Sequence, residues 1–536
     1  MSCVLAIENL SLQLGGRRVL EDVSLTLQSG EVTALIGRSG SGKSMTALAI
    51  MGLAPGDAHI SGAIKLDDVD LLKMDQKSLC AVRGAKVGMV FQEPMTALNP
   101  LHTIAAQVAE VFLTHENTSR EDAYNKARNT LTRVGLDPNI IPHDRFPHQL
   151  SGGQRQRAVI AMAIAMKPKV LIADEPTTAL DVTTQAHILD LLRHLAKVEG
   201  MALLLITHDL AVVSNIADNI AVIKDGSIID YGHADRFYSR EADSRSREYL
   251  PARVVRNKRK LCEETVLSTQ NIICEYAQRP HSLLSRPTKF RAVENVSFEL
   301  KKGENLGLVG ESGCGKSTLA QALLGLVPLA DGGIALAKEK FPTKDAAAMR
   351  RLRRKIQIVF QDPYSSFNPR QHIIDIIAEP FHLHDQKLSA YEKRSRVCAL
   401  LQSVGLSEND ADKYPHQFSG GQRQRIATAR ALATEPDIIV LDEATSALDV
   451  VSRNRILALL EKLSEERGVS LLLITHDLSV IRDIADRVMI MRAGRIIETG
   501  QTRAIFEAPR EPYTKALIEA APAIKWRDTG SGEEYV

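Results

Sequence analysis

The run Ser-Gly-Gly-Gln-Arg-Gln-Arg occurs twice, at 151–157 and at 419–425, and the agreement around it constrains the fold more than any other feature. GRSGSGKS at 37–44 answers GESGCGKS at 310–317. FQEPMTALNP at 91–100 answers FQDPYSSFNP at 360–369, and FPHQLSGGQ at 146–154 answers YPHQFSGGQ at 414–422. ADEPTTALDV at 173–182 answers LDEATSALDV at 441–450, and LLLITHDL at 203–210 answers LLLITHDL at 471–478. The offset falls from 273 at the first motif to 269 at the second, then holds at 268. Two copies of about 235 residues each are whole domains, too long to be solenoid units. A chain of 536 residues is also too long for one hydrophobic core.

The duplication sets the expected boundaries: a first domain over 1–238, a linker over 239–264, a second domain over 265–525 and a polar tail over 526–536. The linker text SREADSRSREYLPARVVRNKRKLCEE is rich in charge and poor in apolar periodicity. Its cluster RVVRNKRK, at 253–260, reads as solvated, with anionic lipid or nucleic acid as the alternative.

Net charge is +2, from 67 basic and 65 acidic residues, which argues against a dedicated nucleic-acid binder. Six cysteines, at 3, 80, 262, 274, 314 and 398, form no CxxC pair, as expected in a reducing compartment. The start MSCVLAIENL lacks the pattern of a signal peptide. The longest apolar run, AVIAMAIAM at 158–166, has about half the length of a membrane-spanning helix and predicts a buried core helix.

Short apolar runs precede the motifs: EVTALIG, KVLIADE and MALLLITHD in the first copy, ENLGLVG, DIIVLDE and VSLLLITHD in the second. Helix-like stretches separate them. The alternation predicts an α/β fold with a mainly parallel sheet in each copy and functional loops at the strand ends.

GxxxxGK[ST] between a strand and a helix is a phosphate loop. Its glycines let backbone N–H groups curl round phosphates at a helix N-terminus. The candidates are Gly37, Arg38, Ser39, Gly40, Ser41, Gly42, Lys43 and Ser44, and Gly310, Glu311, Ser312, Gly313, Cys314, Gly315, Lys316 and Ser317. Lys43 and Lys316 reach for the β- and γ-phosphates, and Ser44 and Ser317 for Mg²⁺. Asp174–Glu175 and Asp442–Glu443 end strand-like runs; the aspartates suit the metal, and the glutamates suit orienting or deprotonating a water.

Phosphate loop, FQ, SGGQ, strand-terminal DE, ALD and a histidine after LLLIT, in that order and twice over, resemble the ATP-binding-cassette (ABC) transporter ATPases. FQEPMTALNP resembles one ATPase subunit of the peptide importers and FQDPYSSFNPR its partner, so the chain is similar to both fused, as in the ATP-binding component of peptide and microcin C type importers.

The resemblance implies two P-loop NTPase domains, each with a mainly parallel core, an antiparallel β part and a helical subdomain. It implies that the domains close head to tail over two ATP molecules. Lys43, Ser44, Gln92, Asp174, Glu175 and His208 then face Ser419, Gly420, Gly421 and Gln422. Lys316, Ser317, Gln361, Asp442, Glu443 and His476 face Ser151, Gly152, Gly153 and Gln154. Gln92 and Gln361 sense Mg²⁺; His208 and His476 contact the γ-phosphate; Asp181 and Asp449 lie at the dimer seam.

The adenine-stacking aromatic of the family falls on Tyr276 in the second domain and on Leu14 in the first, which predicts weaker nucleotide binding at the first phosphate loop. No cysteine follows Cys398, so no iron–sulfur cluster is expected. PREPYTKALIEAAP, at 509–522, matches the family's C-terminal extension, and RFYSREADSRSREYL of the first half matches it poorly.

The implied activity is ATP hydrolysis driving a bacterial importer for peptides or peptide-like compounds. The implied partners are two transmembrane permeases and a periplasmic substrate-binding protein, with peripheral association at the cytoplasmic face of the inner membrane and no nucleic acid. Two other readings stay open: a ribosome-bound tandem ATPase, which typically has a longer charged helical linker, and a tandem ATPase for sugars or metal ions.

Overall fold

The computed structural model describes residues 2–38, 40–91, 94–178, 180–238, 262–277, 289–341, 345–362, 366–384, 388–444, 448 and 450–521. Gln92, Ser39, Asp449, most of the linker and the polar tail therefore lie outside the described residues. The chain separates into two compact units.

In the first unit, β1 (Cys3–Leu14) and β2 (Arg17–Gln28) form an antiparallel hairpin whose turn is Gly15–Gly16. Both glycines have positive φ, 54° and 77°, as a tight two-residue hairpin turn requires. β1 also pairs with β4 (His59–Leu66), and β4 with β5 (Val69–Asp70), giving the antiparallel sheet β2-β1-β4-β5.

A second sheet is built from β3 (Val32–Ile36), β6 (Val87–Val90), β7 (Val170–Asp174), β8 (Ala202–Ile206), β9 (Asn219–Lys224) and β10 (Ser227–His233). Its order is β6-β7-β8-β3-β9-β10, parallel except for the edge strand β10. All residues of β3, β7 and β8 are buried, which explains why they read as unbroken apolar runs and not as alternating ones. Leu5, Ile7, Leu25, Ile50, Ile172 and Leu204 join the antiparallel sheet, the helix Lys43–Ile50 and the parallel sheet in one core.

Between β6 and β7 the chain forms a helical layer that includes Ile104–His115, Arg120–Arg133 and Gly152–Ile164. Most of the apolar run at 158–166 lies in the last of these and is buried, with Met162 and Met166 partly so, in line with the expected core helix. Phe237 and Tyr238 are buried in this unit, and the Tyr238 hydroxyl donates to Leu210 O at 2.8 Å.

The second unit repeats the plan. β11 (Thr265–Ala277), β12 (Lys289–Lys301), β14 (Asp331–Leu336) and β15 (Glu339–Phe341) form the antiparallel sheet β12-β11-β14-β15. β13 (Asn305–Val309), β16 (Ile356–Val359), β17 (Ile438–Asp442), β18 (Ser470–Ile474), β19 (Arg487–Arg492) and β20 (Arg495–Gln501) form the sheet β16-β17-β18-β13-β19-β20. The strand order matches the first unit strand for strand. Two helices follow β20, Thr502–Glu507 and Pro512–Ala520.

In both sheets the strand leading into the phosphate loop is central. Leu35 pairs with Ile206, and Ile206 pairs with Asp174, so three strand ends come level. Loops at those carboxyl ends carry the polar motifs, as expected of an open parallel sheet.

Candidate functional site

The phosphate loop of the first unit runs from the end of β3 into the helix Lys43–Ile50. Lys43 is buried, and its ammonium donates to Gly37 O and Arg38 O, both at 2.9 Å. Lys316 is held in the same way by Gly310 O at 2.7 Å and Glu311 O at 2.9 Å. Gly42 and Gly315 cap the two helices at φ 106° and 109°, a region closed to side chains. At Gly315 a Cβ would also lie 2.2 Å from Ala292 O.

Asp174 and Asp442 end their strands as buried carboxylates. Burial pushes both above the ordinary aspartate range, partly offset by the hydroxyls of Ser44 and Ser317. Ser317 Oγ donates to Asp442 Oδ1 at 3.3 Å. Asp174 Oδ1 is buried without a hydrogen bond. An orphaned carboxylate oxygen beside a hydroxyl is a donor set for a hard divalent cation, so these residues fit Mg²⁺.

The adjoining glutamates adopt left-handed backbone, φ 48° at Glu175 and 49° at Glu443. This conformation is uncommon for a residue with a side chain, and here it recurs at both sites. Each is pinned by its N–H, which donates to Ile206 O or Ile474 O at 2.8 Å.

Glu175 Oε1 lies 3.1 Å from His208 Nδ1, and Oε2 accepts from Thr178 Oγ1 at 3.1 Å. Burial would raise Glu175, but the hydrogen bond and charge of His208, with Thr178 and Lys43, outweigh it and hold the carboxyl below its usual range. Burial would lower His208, but Glu175 outweighs that and raises the imidazole.

In the second unit Glu443 Oε1 lies 3.4 Å from His476 Nδ1, and Oε2 accepts from Gln361 Nε2 at 2.7 Å. Burial again opposes the charge of Glu443; His476, then Lys316, outweighs it and keeps the group below the usual range. Gln361, expected from the resemblance to sense Mg²⁺, thus has its amide nitrogen on the glutamate. Its counterpart Gln92 lies outside the described residues.

The aspartate after each histidine has a local task. Asp209 accepts from Ala211 N and Val212 N, and Asp477 from Ser479 N, which caps the next helix. Their own N–H groups donate to Thr207 Oγ1 and Thr475 Oγ1 at 3.0 and 2.9 Å. The histidine is held in a turn closed on both sides.

Each SGGQ starts a 13-residue helix, Gly152–Ile164 or Gly420–Leu432. Ser151 Oγ accepts from Gln154 N at 3.3 Å while Ser151 N–H donates to Gln154 Oε1 at 3.0 Å; Ser419 and Gln422 repeat this capping box. Both serines are exposed. The RQR part is structural: Arg157 donates to Val134 O at 2.8 Å, and Gln156 and Gln424 are buried. Asp181 caps the helix Val182–Lys197 by accepting from Thr184 N at 3.0 Å.

Tyr276, 40% exposed, sits near the end of β11, its hydroxyl 3.5 Å from Oγ1 of Thr318, the residue after Ser317. Phe290 pairs with it across the hairpin. In the first unit Leu14 pairs with Arg17. Sequence reasoning missed Thr178, the left-handed glutamates and the capping aspartates; only the THD repeats carried a readable signal for the caps.

Two phosphate loops, each beside a buried aspartate, its adjoining glutamate and a histidine, define a tandem P-loop ATPase. The family profile described as "ABC transporter" matches residues 20–178 and 293–446, and the chain belongs to that family. A second profile, "Oligopeptide/dipeptide transporter, C-terminal region", matches 497–534. The glutathione import ATP-binding protein GsiA of Escherichia coli K12 is 42% identical over 562 residues, covering 97% of this chain and 90% of that protein. Its counterpart in Shigella dysenteriae is equally similar. A solved dimer of the ATP-binding cassette MJ0796 with ADP and Pi is 31% identical over 44% of this chain and 99% of that one, with a TM-score of 0.40.

Proposed function

We propose that the chain is the ATP-hydrolysing subunit of a bacterial importer for peptides or peptide-like compounds, with glutathione-type peptides and microcin C in that class. The observation that carries the reading is the doubled, undamaged set of Lys, Asp, Glu and His, joined to a C-terminal region of the oligopeptide transporter type. The similarity to glutathione import proteins over nearly the whole chain supports the cargo class.

In this reading Lys43 and Lys316 bind the β- and γ-phosphates, and the N–H groups of each loop cradle them. Ser44 with Asp174, and Ser317 with Asp442, would hold Mg²⁺, which supplies charge neutralisation at the phosphates. Glu175 and Glu443, kept ionised, orient the attacking water and accept its proton. His208 and His476 fix each glutamate and present the far edge of the imidazole to the γ-phosphate.

Each site is completed by the other domain: Ser419, Gly420, Gly421 and Gln422 close over the nucleotide of Lys43, and Ser151, Gly152, Gly153 and Gln154 over that of Lys316. The exposed serines at helix N-termini suit this, offering a hydroxyl and free N–H groups to a phosphate. Among the described residues no helix is long and apolar enough to cross a membrane. In the importer reading, supported by the likeness to import ATP-binding proteins, the transport path belongs to two separate permeases fed by a periplasmic binding protein, and this chain docks peripherally at the cytoplasmic face.

Affinity purification from detergent-solubilised membranes tests the assignment. Recovery with two multi-spanning permeases supports it; recovery with ribosomes and no membrane protein would overturn it.

A further inference from the structure

The C-terminal extension touches the second phosphate loop. The N–H of Glu311, the second residue of that loop, donates to the Tyr513 hydroxyl at 3.2 Å. Tyr513 lies in the first turn of the helix Pro512–Ala520, which follows the sheet. One contact holds the ring and two anchor the start of its helix. The Arg492 guanidinium sits 4.7 Å from its centroid, and Glu498, buried on β20, accepts from Arg510 N at 2.8 Å and Glu511 N at 3.2 Å.

The Gly310–Glu311 peptide is thereby held at both ends. Its carbonyl, Gly310 O, accepts from Lys316 Nζ at 2.7 Å, and its N–H donates to Tyr513. The next carbonyl, Glu311 O, also accepts from Lys316. A peptide polarised by an ammonium at its oxygen is a better donor at its nitrogen, so the two bonds reinforce each other. Burial pushes the Tyr513 hydroxyl up to about 12, so it remains a neutral acceptor over the whole working range.

We infer that Tyr513 is a positioning residue for the second nucleotide site, holding the entry of the 310–317 loop in its phosphate-ready shape from the C-terminal extension. The inference rests on the reading of that loop as a nucleotide site. It gives the extension a role inside this chain, independent of any partner. It also makes the two sites unequal: the first loop has Arg38 where the second has Glu311, and no Pro-Tyr-Thr run follows β10.

The test uses the full-length Lys43→Ala chain, in which the second loop is the remaining site, titrated with a fluorescent ATP analogue and Mg²⁺. Tyr513→Phe keeps the ring over Arg492 and removes only the acceptor. It should weaken binding about three- to tenfold, as loss of a partner for a half-buried N–H implies, and raise the KM for ATP with kcat retained. The melting temperature without nucleotide should stay near the parent value. In the reciprocal Lys316→Ala chain the same substitution should leave affinity at the first loop unchanged.

Parent-like affinity in Tyr513→Phe overturns the inference, as does equal weakening in both backgrounds, which would mark a general structural effect. Lys316→Ala added to Lys43→Ala separates the two levels. If binding survives that pair, the nucleotide reading itself fails and the inference falls with it. If the pair abolishes binding while Tyr513→Phe is silent, the positioning role alone fails.

Discussion

Replacing Tyr276 by Ala removes an exposed ring whose hydroxyl reaches the second phosphate-loop helix and leaves Phe290 without its cross-strand partner. Stacking of a base on an aromatic contributes about 1–3 kcal/mol by alanine substitution. With about 1.4 kcal/mol per factor of ten, the variant should bind ATP about 5- to 150-fold more weakly at that site. Leu14 at the matching place offers dispersion alone, so the natural difference between the sites should be about five- to tenfold in favour of the second. Tyr276→Phe should be nearly neutral, because the 3.5 Å contact to Thr318 is long and exposed. The reverse change, Leu14→Tyr, should tighten the first site. The assay is equilibrium titration of a fluorescent ATP analogue in chains with one loop silenced by Lys43→Ala or Lys316→Ala. Equal affinities in the two parents, or an unaltered constant in Tyr276→Ala, would refute the stacking argument.

Three further outcomes are expected. Glu175→Gln and Glu443→Gln should each reduce ATP turnover strongly, and together should abolish it while ATP stays bound, as filter binding of radiolabelled ATP would reveal. Gly315→Ala should be more damaging than Gly42→Ala, although both sit at φ above 100°. Its Cβ meets the fixed Ala292 carbonyl at 2.2 Å, whereas at Gly42 it meets the movable Leu20 Cδ2 at 2.6 Å; denaturant melts should show a cost of about 1–2 kcal/mol or more for Gly315→Ala.

The third outcome concerns pH. Because His208 is raised, its contribution to stability is full below its ordinary pKa of about 6.5 and is lost as pH rises through the raised value. Glu175, being depressed, contributes above its ordinary value near 4.5 and loses that as pH falls through the depressed one. His208→Gln should therefore lower the melting temperature more below about pH 6.5 than at alkaline pH, where the imidazole is neutral. A difference independent of pH would argue against the ion pair.

What the sequence discloses and what it hides divide on physical grounds. The phosphate loops and acid pairs are legible because each needs fixed residue types at fixed spacing next to a buried strand, whereas the histidines are legible only through the family resemblance. The mainly parallel sheet is legible because β3, β7 and β8 are buried and read as unbroken apolar runs, whereas the order of the strands is not. The left-handed backbone at Glu175 and Glu443 is not legible, since ordinary glutamate in a strand–loop junction gives no sign of it. The Thr178 and Gln361 contacts are hidden for a different reason. Thr178 reaches Glu175 from three residues on and Gln361 reaches Glu443 from 82 residues away, and neither residue type by itself signals such a contact. Tyr513 shows the same limit: its extension is readable as a match, but only the fold brings it to Glu311.

The central claim is that each nucleotide is held by one domain and closed by the signature of the other. It is tested most directly by counting occluded ATP in the Glu175→Gln/Glu443→Gln chain, with photo-reactive ATP and peptide mapping to assign each label. Two occluded nucleotides per chain are expected. Adding Ser151→Ala should deplete the label on the 310–317 loop and spare the 37–44 loop, and Ser419→Ala should do the reverse. Loss of label from the phosphate loop in the same domain as the substituted serine would contradict the account.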